Sequence, residues 1–484
     1  MAGAGQEFKE DKKMRQCTGA RVLFVGIGGA FQYGYNVSII NAPTRQIQQF
    51  INNTWYSRHQ SNLEEGWLTL IWSVIASVFT LGGLLGTHIG GHLADKLGRK
   101  KTLLMNNVLA ILAAFLMGIA YPSGCFELLI VGRLIIGINA GIGLCVQPLY
   151  LGEIAPRHIR GLTTVGMNIF LTGGIFTGQL VGLRVVRELF GGGDNWYFLL
   201  PTCCIPAIIQ LASLPWFPES PRYLLIENKD EYQCQKALKM LYGSEHYQPE
   251  MDDILKESCA LNGEKPKTIF QLFSDRTVRW QLVIIILTNI GQQLSGINAV
   301  TYMYNFVLIA LLVHAVLHIH RTGRDKNIFV CKYIYLQNEY IFMISHYGYA
   351  ALCSLDVYPW IPYLSMSAVF AFILSFGLGP GGVTNTLTAE LFTQSSRSAA
   401  FRISGSVGWI TFFTIGMIFP FLVNGLNQYC FLFFFVECLL TASFIFFIVP
   451  ETKNKSFLEI KKEFQKRNVG QSYPSPEDEP DNLE

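Results

Sequence analysis

Charge is scarce in this chain. Of 484 residues only 15% are Asp, Glu, Lys or Arg, while 50% are hydrophobic and 13% aromatic. An average soluble domain carries about 25% charged residues. One aqueous core cannot bury so much apolar surface, so an ordinary soluble protein is excluded and lipid is the expected solvent. A strong charge of one sign is also missing: the net charge of +3 makes nucleic acid an unsuitable partner. Metal-like cysteine spacing is missing too. The eleven cysteines are scattered, with only Cys203 and Cys204 adjacent, and many lie inside apolar runs (Cys145, Cys203, Cys204, Cys438), with no CxxC or Cys/His pattern. They read as small core residues, and neither a metal nor a disulfide framework is expected. The first twenty residues are polar (Glu7, Lys9, Glu10, Asp11, Lys12, Lys13, Arg15), unlike a cleavable leader, so the first apolar stretch is expected to remain as a span. No nucleophile–base pair or phosphate loop lies within the apolar runs, and Gly191, Gly192 and Gly193 lack phosphate-loop context. An enzyme is disfavoured and no cofactor is expected.

What is present is a series of long apolar runs. A span needs roughly 20 mostly apolar residues to cross a hydrocarbon layer of about 30 Å. Six runs qualify, near 20–40, 67–90, 102–122, 126–150, 162–184 and 197–217. After a polar stretch, four more lie near 281–305, 361–384, 402–424 and 429–449. This organises the chain into a tail (1–19), a six-helix half (20–217), a linker with short helices (218–279), a second half (280–450) and a closing tail (451–484). Basic residues cluster at alternate crossings: the N-terminus, 96–101, Arg157 to Arg160, the linker, Arg397 and Arg402, and 453–466. The positive-inside rule then places both termini in the cytoplasm. The sequon Asn52, Asn53, Thr54 falls in the first outer loop, which suits a glycan on Asn52.

The halves echo each other. Glu153 to Arg160 is repeated as Glu390 to Arg397, and Pro218-Glu219-Ser220 as Pro450-Glu451-Thr452. Repeated halves of this kind are a transporter architecture, with substrate bound between them near the midplane. The turn from Gly91 to Lys100 needs glycine for close approach of two helices. Asp95, Arg99 and Lys100 there suit either a salt-bridge latch or an ordinary basic anchor. The spaced acids and bases Glu153 and Arg160, Glu219 and Arg222, Glu390 and Arg397 favour the latch, as a cytoplasmic network that joins the halves on closure.

Ordered motifs carry a family resemblance. They are Gly34-Tyr35-Asn36 with Asn41-Ala42-Pro43, the 91–100 turn, Gly132-Arg133, and Pro148 through Tyr150 to Glu153. They continue with Arg160-Gly161, Pro218 to Arg222, Gln292-Gln293 through Gly296 to Asn298, and Pro450 to Lys453. Over about 18–305 and 352–460 the chain resembles the sugar-porter branch of the major facilitator superfamily, and within it the facilitative hexose transporters of animals. The resemblance implies an all-α membrane protein with the major facilitator fold, two pseudo-symmetric six-helix halves, the plasma membrane as location and a small-molecule sugar as partner. It defines no oligomeric state.

Polar residues inside spans usually face the bundle interior or a wet cavity. Gln292, Gln293 and Asn298 are three carboxamides spread over a broad face, each offering donor and acceptor to sugar hydroxyls; interhelical hydrogen bonding is the competing role. By resemblance, Asn168 and Gln179 on the fifth span, Trp409 on the eleventh and Asn385 in a broken tenth belong to the sugar site. The run Gly377 to Gly382 around Pro380 should form a gating hinge. Proton-coupled relatives carry an aspartate where this chain has Asn36, near the arginine matched by Arg133. An amide has no proton to cycle, so uniport is favoured, and Arg133 equally suits a bond to backbone carbonyls. Asn289-Ile290-Gly291 before the glutamine pair, the absence of tryptophan near 385 and the turn Ser395-Ser396-Arg397 lean toward the second, fructose-accepting class.

Residues 306–350 depart from this pattern. The resemblance implies here the end of span seven, a span eight with a sugar-contacting asparagine, a basic loop and span nine. Two readings stand: a divergent remnant, with a short span at 303–319 and a ninth span at 333–355, or foreign sequence. Either way Glu390, Arg397 and Glu451 lose the partners of a second latch loop, so that latch is expected to be weak and transport impaired or absent; a non-transporting hexose sensor is the competing function.

Overall fold

The computed structural model describes residues 27–154, 160–182, 196–242, 247–261, 268–296, 394–426 and 429–449, together with positions 367, 387–388, 391–392 and 464. Within these residues all regular structure is helical. The chain enters the bundle in a wide π turn, Ile27–Phe31, that runs into α1 (Gln32–Ile39). The turn sits where Gly28 and Gly29 leave room for the amide ends of Gln210 and Gln147. Gln147 Oε1 accepts the Ala30 N–H at 2.6 Å, so a backbone donor of the turn is satisfied from another helix.

The expected outer loop 41–66 is largely α2 (Thr44–His59). It was illegible as a span because its apolar residues form only one stripe: Ile47, Phe50 and Ile51 are buried, and the opposite face is polar. α3 (Glu65–Leu97), α4 (Arg99–Ala120) and α5 (Glu127–Ile154) match the expected second, third and fourth spans, each extended at an end. α6 (Arg160–Val181) is the fifth. The sixth, Trp196–Trp216, is α7 (Cys204–Ser213) flanked by 3-10 turns, with Pro201 and Pro215 at the turn starts, where a missing N–H costs nothing. α8 (Glu231–Tyr242), α9 (Gln248–Leu261) and the six-residue α10 (Ile269–Ser274) fill the linker. α10 opens with a reciprocal capping box between Thr268 and Gln271. α11 (Arg279–Leu294), α12 (Gln394–Leu426) and α13 (Cys430–Ile448) follow.

The seventh span departs from expectation. α11 ends at Leu294, and Gly296 follows with φ +89°, a conformation that side chains resist. A Cβ there would also lie 2.9 Å from the Phe434 ring. α11 therefore closes just after Gln292 and Gln293, while Asn298 lies outside the described residues.

Small residues set the tightest helix contacts. Gly82 on α3 faces Gly137 on α5, Gly86 faces Ile138 and Gly141 faces Gly83, while Gly34 on α1 lies against Leu171 and Ile175 of α6 and Gly174 against Phe31 and Tyr35; an added Cβ would strike backbone at each. Such small-xxx-small seams are how helices approach closely in lipid. Large apolar side chains point outward, including Phe115, Val131, Ile208, Leu440 and Phe447. Among the described residues, five helical segments are long and apolar enough to cross a membrane: Glu65–Leu97, Arg99–Ala120, Glu127–Ile154, Trp196–Trp216 and Ala399–Leu426.

The halves meet where α12 lies along α3 in the opposite direction. Ser77 packs against Gly416, Thr87 Oγ1 accepts the Trp409 Nε1–H at 2.9 Å, Ser406 Oγ is 3.0 Å from His88 Nε2, and Gly91 faces Arg402.

Candidate functional site

Two polar groupings stand out: amides at membrane depth, and ion pairs at the bundle end that carries residues 95–100. Most amides in the first half are joined to other helices. Asn107 Nδ2 donates to Gln210 Oε1 at 2.9 Å, and Gln32 Nε2 donates to the Cys203 carbonyl at 3.3 Å. Asn106 and Asn139 exchange amide-to-carbonyl bonds of 2.9 and 2.8 Å. These side chains are interhelical fasteners.

Gln179 is different. It is 5% exposed on α6, and among the described residues neither its Oε1 nor its Nε2 has a hydrogen-bond partner. An unmet buried polar group costs about 1–3 kcal/mol, so an open carboxamide suits an incoming hydroxylated molecule. In the second half, Gln292 and Gln293 sit half-buried at the end of α11. Asn168 lies on α6 in the first half; its side chain, like Asn298 and Asn385, lies outside the described residues.

Trp409 is 8% exposed in an aromatic cluster. Its ring meets Tyr33 edge-on at 5.9 Å and Phe79 at 6.5 Å, and stacks with Phe412 at 6.5 Å. Tyr33 and Phe79 belong to the first half, so Trp409 bridges the two halves. Nearby, Arg133 is 1% exposed, donates from Nη1 to the Asn36 backbone carbonyl at 3.0 Å and lies 4.6 Å from the Phe79 ring centre. Asn36 donates its own Nδ2–H to the Gln32 carbonyl at 2.8 Å. The bond to a backbone carbonyl expected of Arg133 is therefore present, on Asn36.

At the basic end, Arg99 is the hub. Its Nε lies 3.1 Å from Glu153 Oε2, and its Nη2 reaches Glu153 Oε1 at 3.1 Å and Glu227 Oε1 at 2.9 Å. The guanidinium stacks over Tyr223 at 5.1 Å. Glu219 Oε1 accepts the Lys100 backbone N–H at 2.9 Å, placing a carboxylate at the α4 N-terminus, where the helix dipole favours it. Lys100 Nζ donates to the Pro215 and Phe217 carbonyls at 2.9 and 2.6 Å. Tyr150 and Tyr223 hydroxyls donate to the Pro218 and Lys96 carbonyls. Burial, then the charges of Glu219 and Glu227, push the Tyr223 hydroxyl above its ordinary pKa, so it stays a donor.

This latch closes within the first half and the linker start. Glu227 was not anticipated; it follows the Pro218 to Arg222 motif with nothing local to mark it. Asp95 is exposed and makes no ion pair among the described residues. Arg222 lies near Glu153. The side chains of Arg160 and Arg397, and the whole of Glu390 and Glu451, lie outside the described residues, as do 306–350 and the 377–382 hinge. Asn52 sits on α2, half-buried, with its Oδ1 accepting the Leu63 N–H at 3.4 Å, and Thr54 is buried. The sequon is thus helical rather than part of an open loop.

Comparison with known proteins adds the following. The family model described as "Sugar (and other) transporter" matches residues 22–308 and 303–464. The solute carrier family 2, facilitated glucose transporter member 5 of Mus musculus is 40% identical over 479 residues, covering 94% of each chain. Member 9 of Mus musculus is 39% identical, covering 96% of this chain and 89% of its own. Member 11 of Homo sapiens is 39% identical, covering 94% of this chain and 96% of its own. The inward-open xylose transporter XylE from E. coli superposes with a TM-score of 0.76 at 21% identity, over 92% of this chain and 99% of its own.

Proposed function

This chain belongs to the sugar (and other) transporter family, an integral membrane transporter and not an enzyme, and we propose that it is a facilitative hexose uniporter. In this reading glucose or fructose crosses by alternating access between the halves 20–217 and 280–450. Gln179, Asn168, Gln292, Gln293, Asn298, Asn385 and Trp409 form the sugar site. The relatives named as facilitated glucose transporters, alike over nearly the whole chain, support the substrate class. One observation carries the transport mode. Asn36, an amide, sits beside Arg133 with its amide N–H committed to a carbonyl, so that position holds no proton to exchange. The XylE structures include one described as a proton:xylose symporter, but at about one-fifth identity that likeness speaks for the fold alone.

The basic end faces the cytoplasm in this reading, with the tails 1–19 and 451–484 and the linker 218–279. Asn52 lies outside, and the membrane is the plasma membrane. A second reading, a hexose-binding relative that does not cycle, is favoured by one observation. That observation is the departure of residues 306–350 from the sequence pattern, a stretch that the second family match, 303–464, nonetheless spans.

Uptake of labelled glucose and fructose into proteoliposomes, with a panel of competing sugars, decides among these. Saturable flux that never exceeds the sugar gradient supports uniport. Accumulation driven by a proton gradient overturns it in favour of symport. Hexose-dependent thermal stabilisation without flux supports the second reading.

A further inference from the structure

In α13, an apolar helix whose other polar side chains are the hydroxyls of Thr441 and Ser443, one residue is charged, Glu437. It lies seven residues in from the helix start, about 10 Å along the axis, and eleven from the far end, about 16 Å. Among the described residues no other carboxylate sits so far from both ends of a membrane span. Thr441 donates its Oγ1–H to Glu437 Oε1 at 2.9 Å. Oε2 is fully shielded and has no hydrogen-bond partner among the described residues.

Its neighbours place it. Thr441 packs against Gly291, where a Cβ would come within 2.5 Å of Oγ1, and Phe434 packs against Gly296. Glu437 lies between Phe434 and Thr441, so it stands level with Gln292 and Gln293 across the α11–α13 contact. α12 is the other described helix packed on α13. The charged residues of those two helices are Arg279, Arg397 and Arg402, all in the first turns of α11 and α12, far from Glu437. The other titratable groups of α13 are Cys430 and Cys438. Among the described residues no cation is at hand to hold a carboxylate in this apolar setting, and a lone anion there is too costly to persist.

We propose that Glu437 is a proton-binding site level with the glutamine pair, and that hexose and proton bind with positive linkage. The step is a simple protonation: hydronium gives its proton to a carboxylate oxygen, leaving water and a neutral acid. Hexose displaces water from the cavity and makes the anion costlier, so bound sugar favours the acid form. By reciprocity the proton then tightens hexose binding by the same factor, ~5-fold or more. The proton need not leave during the cycle, so uniport is preserved. The linkage rests on the hexose reading above; the proton site does not.

N,N′-dicyclohexylcarbodiimide tests this on the purified full chain in lipid nanodiscs. A neutral carboxyl adds its O–H across the C=N bond, and the adduct rearranges to a stable N-acylurea read by peptide mass spectrometry. We expect an adduct on Glu437 that declines as pH rises, is absent in Glu437→Gln, and persists to higher pH in Thr441→Val, which removes the hydroxyl that donates to the anion. Excess glucose or fructose should move the half-labelling pH upward. Hexose-induced thermal stabilisation should need several-fold less sugar at mildly acidic than at mildly alkaline pH in the native chain, and equal sugar in Glu437→Gln. No Glu437 adduct, or a yield flat with pH, overturns the proton site. An unmoved half-labelling pH in the presence of a stabilising hexose overturns the linkage. Absence of hexose stabilisation at every pH refutes the hexose reading instead and with it the linkage, while labelling still judges the proton site.

Discussion

Replacing Gly98 by alanine should destabilise the first half by about 2–4 kcal/mol through two separable causes. Gly98 joins α3 to α4 with φ +89° and ψ 164°, a region that only glycine occupies readily. Forcing alanine into it costs about 1–3 kcal/mol. The new Cβ would also lie 2.6 Å from Glu219 Oε2 and 2.9 Å from the Tyr223 ring. Glu219 must then move and give up the Lys100 N–H at the head of α4. A lost cap of this kind costs about 0.5–2 kcal/mol. Thermal unfolding of the detergent-purified chain, followed by size-exclusion fluorescence, reads the sum as a fall of several degrees. Gly66→Ala is the control. It lies in the first turn of α3 with nothing within 4 Å of an added Cβ, and should gain up to ~1 kcal/mol. Glu219→Gln with Gly98→Ala completes a cycle: if the clash is real, the double variant loses less than the two single losses added. A Gly98→Ala protein that melts with the native chain would refute the reasoning, as would strict additivity.

Three further outcomes use the same assay. Arg99→Leu should cost about 3–5 kcal/mol, because it strands the largely buried Glu153, whereas Glu227→Ala should cost under about 1 kcal/mol, since Glu227 is one-third exposed. Gln179→Leu should leave the sugar-free melting temperature unchanged or raise it by about 1 kcal/mol equivalent, yet abolish the hexose-induced shift; a large loss without sugar would mark Gln179 as a fastener. Thr87→Val should cost about 1–3 kcal/mol by leaving the buried Trp409 N–H unmet, and Trp409→Phe combined with it should recover part of that loss.

Where apolar length alone decides, the sequence was readable. α3, α4 and α5 match runs that no soluble core would need, and the turn within 91–100 was visible from its glycines and charges, though the positive φ of Gly98 was not. α2 was hidden because a one-sided stripe of Ile47, Phe50 and Ile51 lacks the continuous hydrophobicity of a span. The break at Gly296 was hidden for a different reason. A glycine between Ser295 and Ile297 reads equally as helix interior or helix end, and only its φ and the Phe434 ring settle which. The latch was half legible. Arg99, Glu153 and Glu219 announce themselves by motif, but Glu227 joins them through the fold of 218–227, which no spacing rule specifies.

The harder question at sequence level was whether an amide inside a span fastens helices or meets a ligand, since both uses need the same side chain. Hydrogen bonding separates them. Gln32, Asn106 and Asn107 each leave one oxygen unmet but commit their amide N–H to a neighbouring chain segment. Gln179 commits neither end among the described residues. A fastener that fastens nothing would be a net loss of about 1–3 kcal/mol, better filled by leucine. Its persistence at a buried position is therefore physical support for a ligand-facing role, independent of any resemblance. The same criterion picks out Glu437, which no motif marks: its one bond goes to its own helix, and its other oxygen is left for a proton.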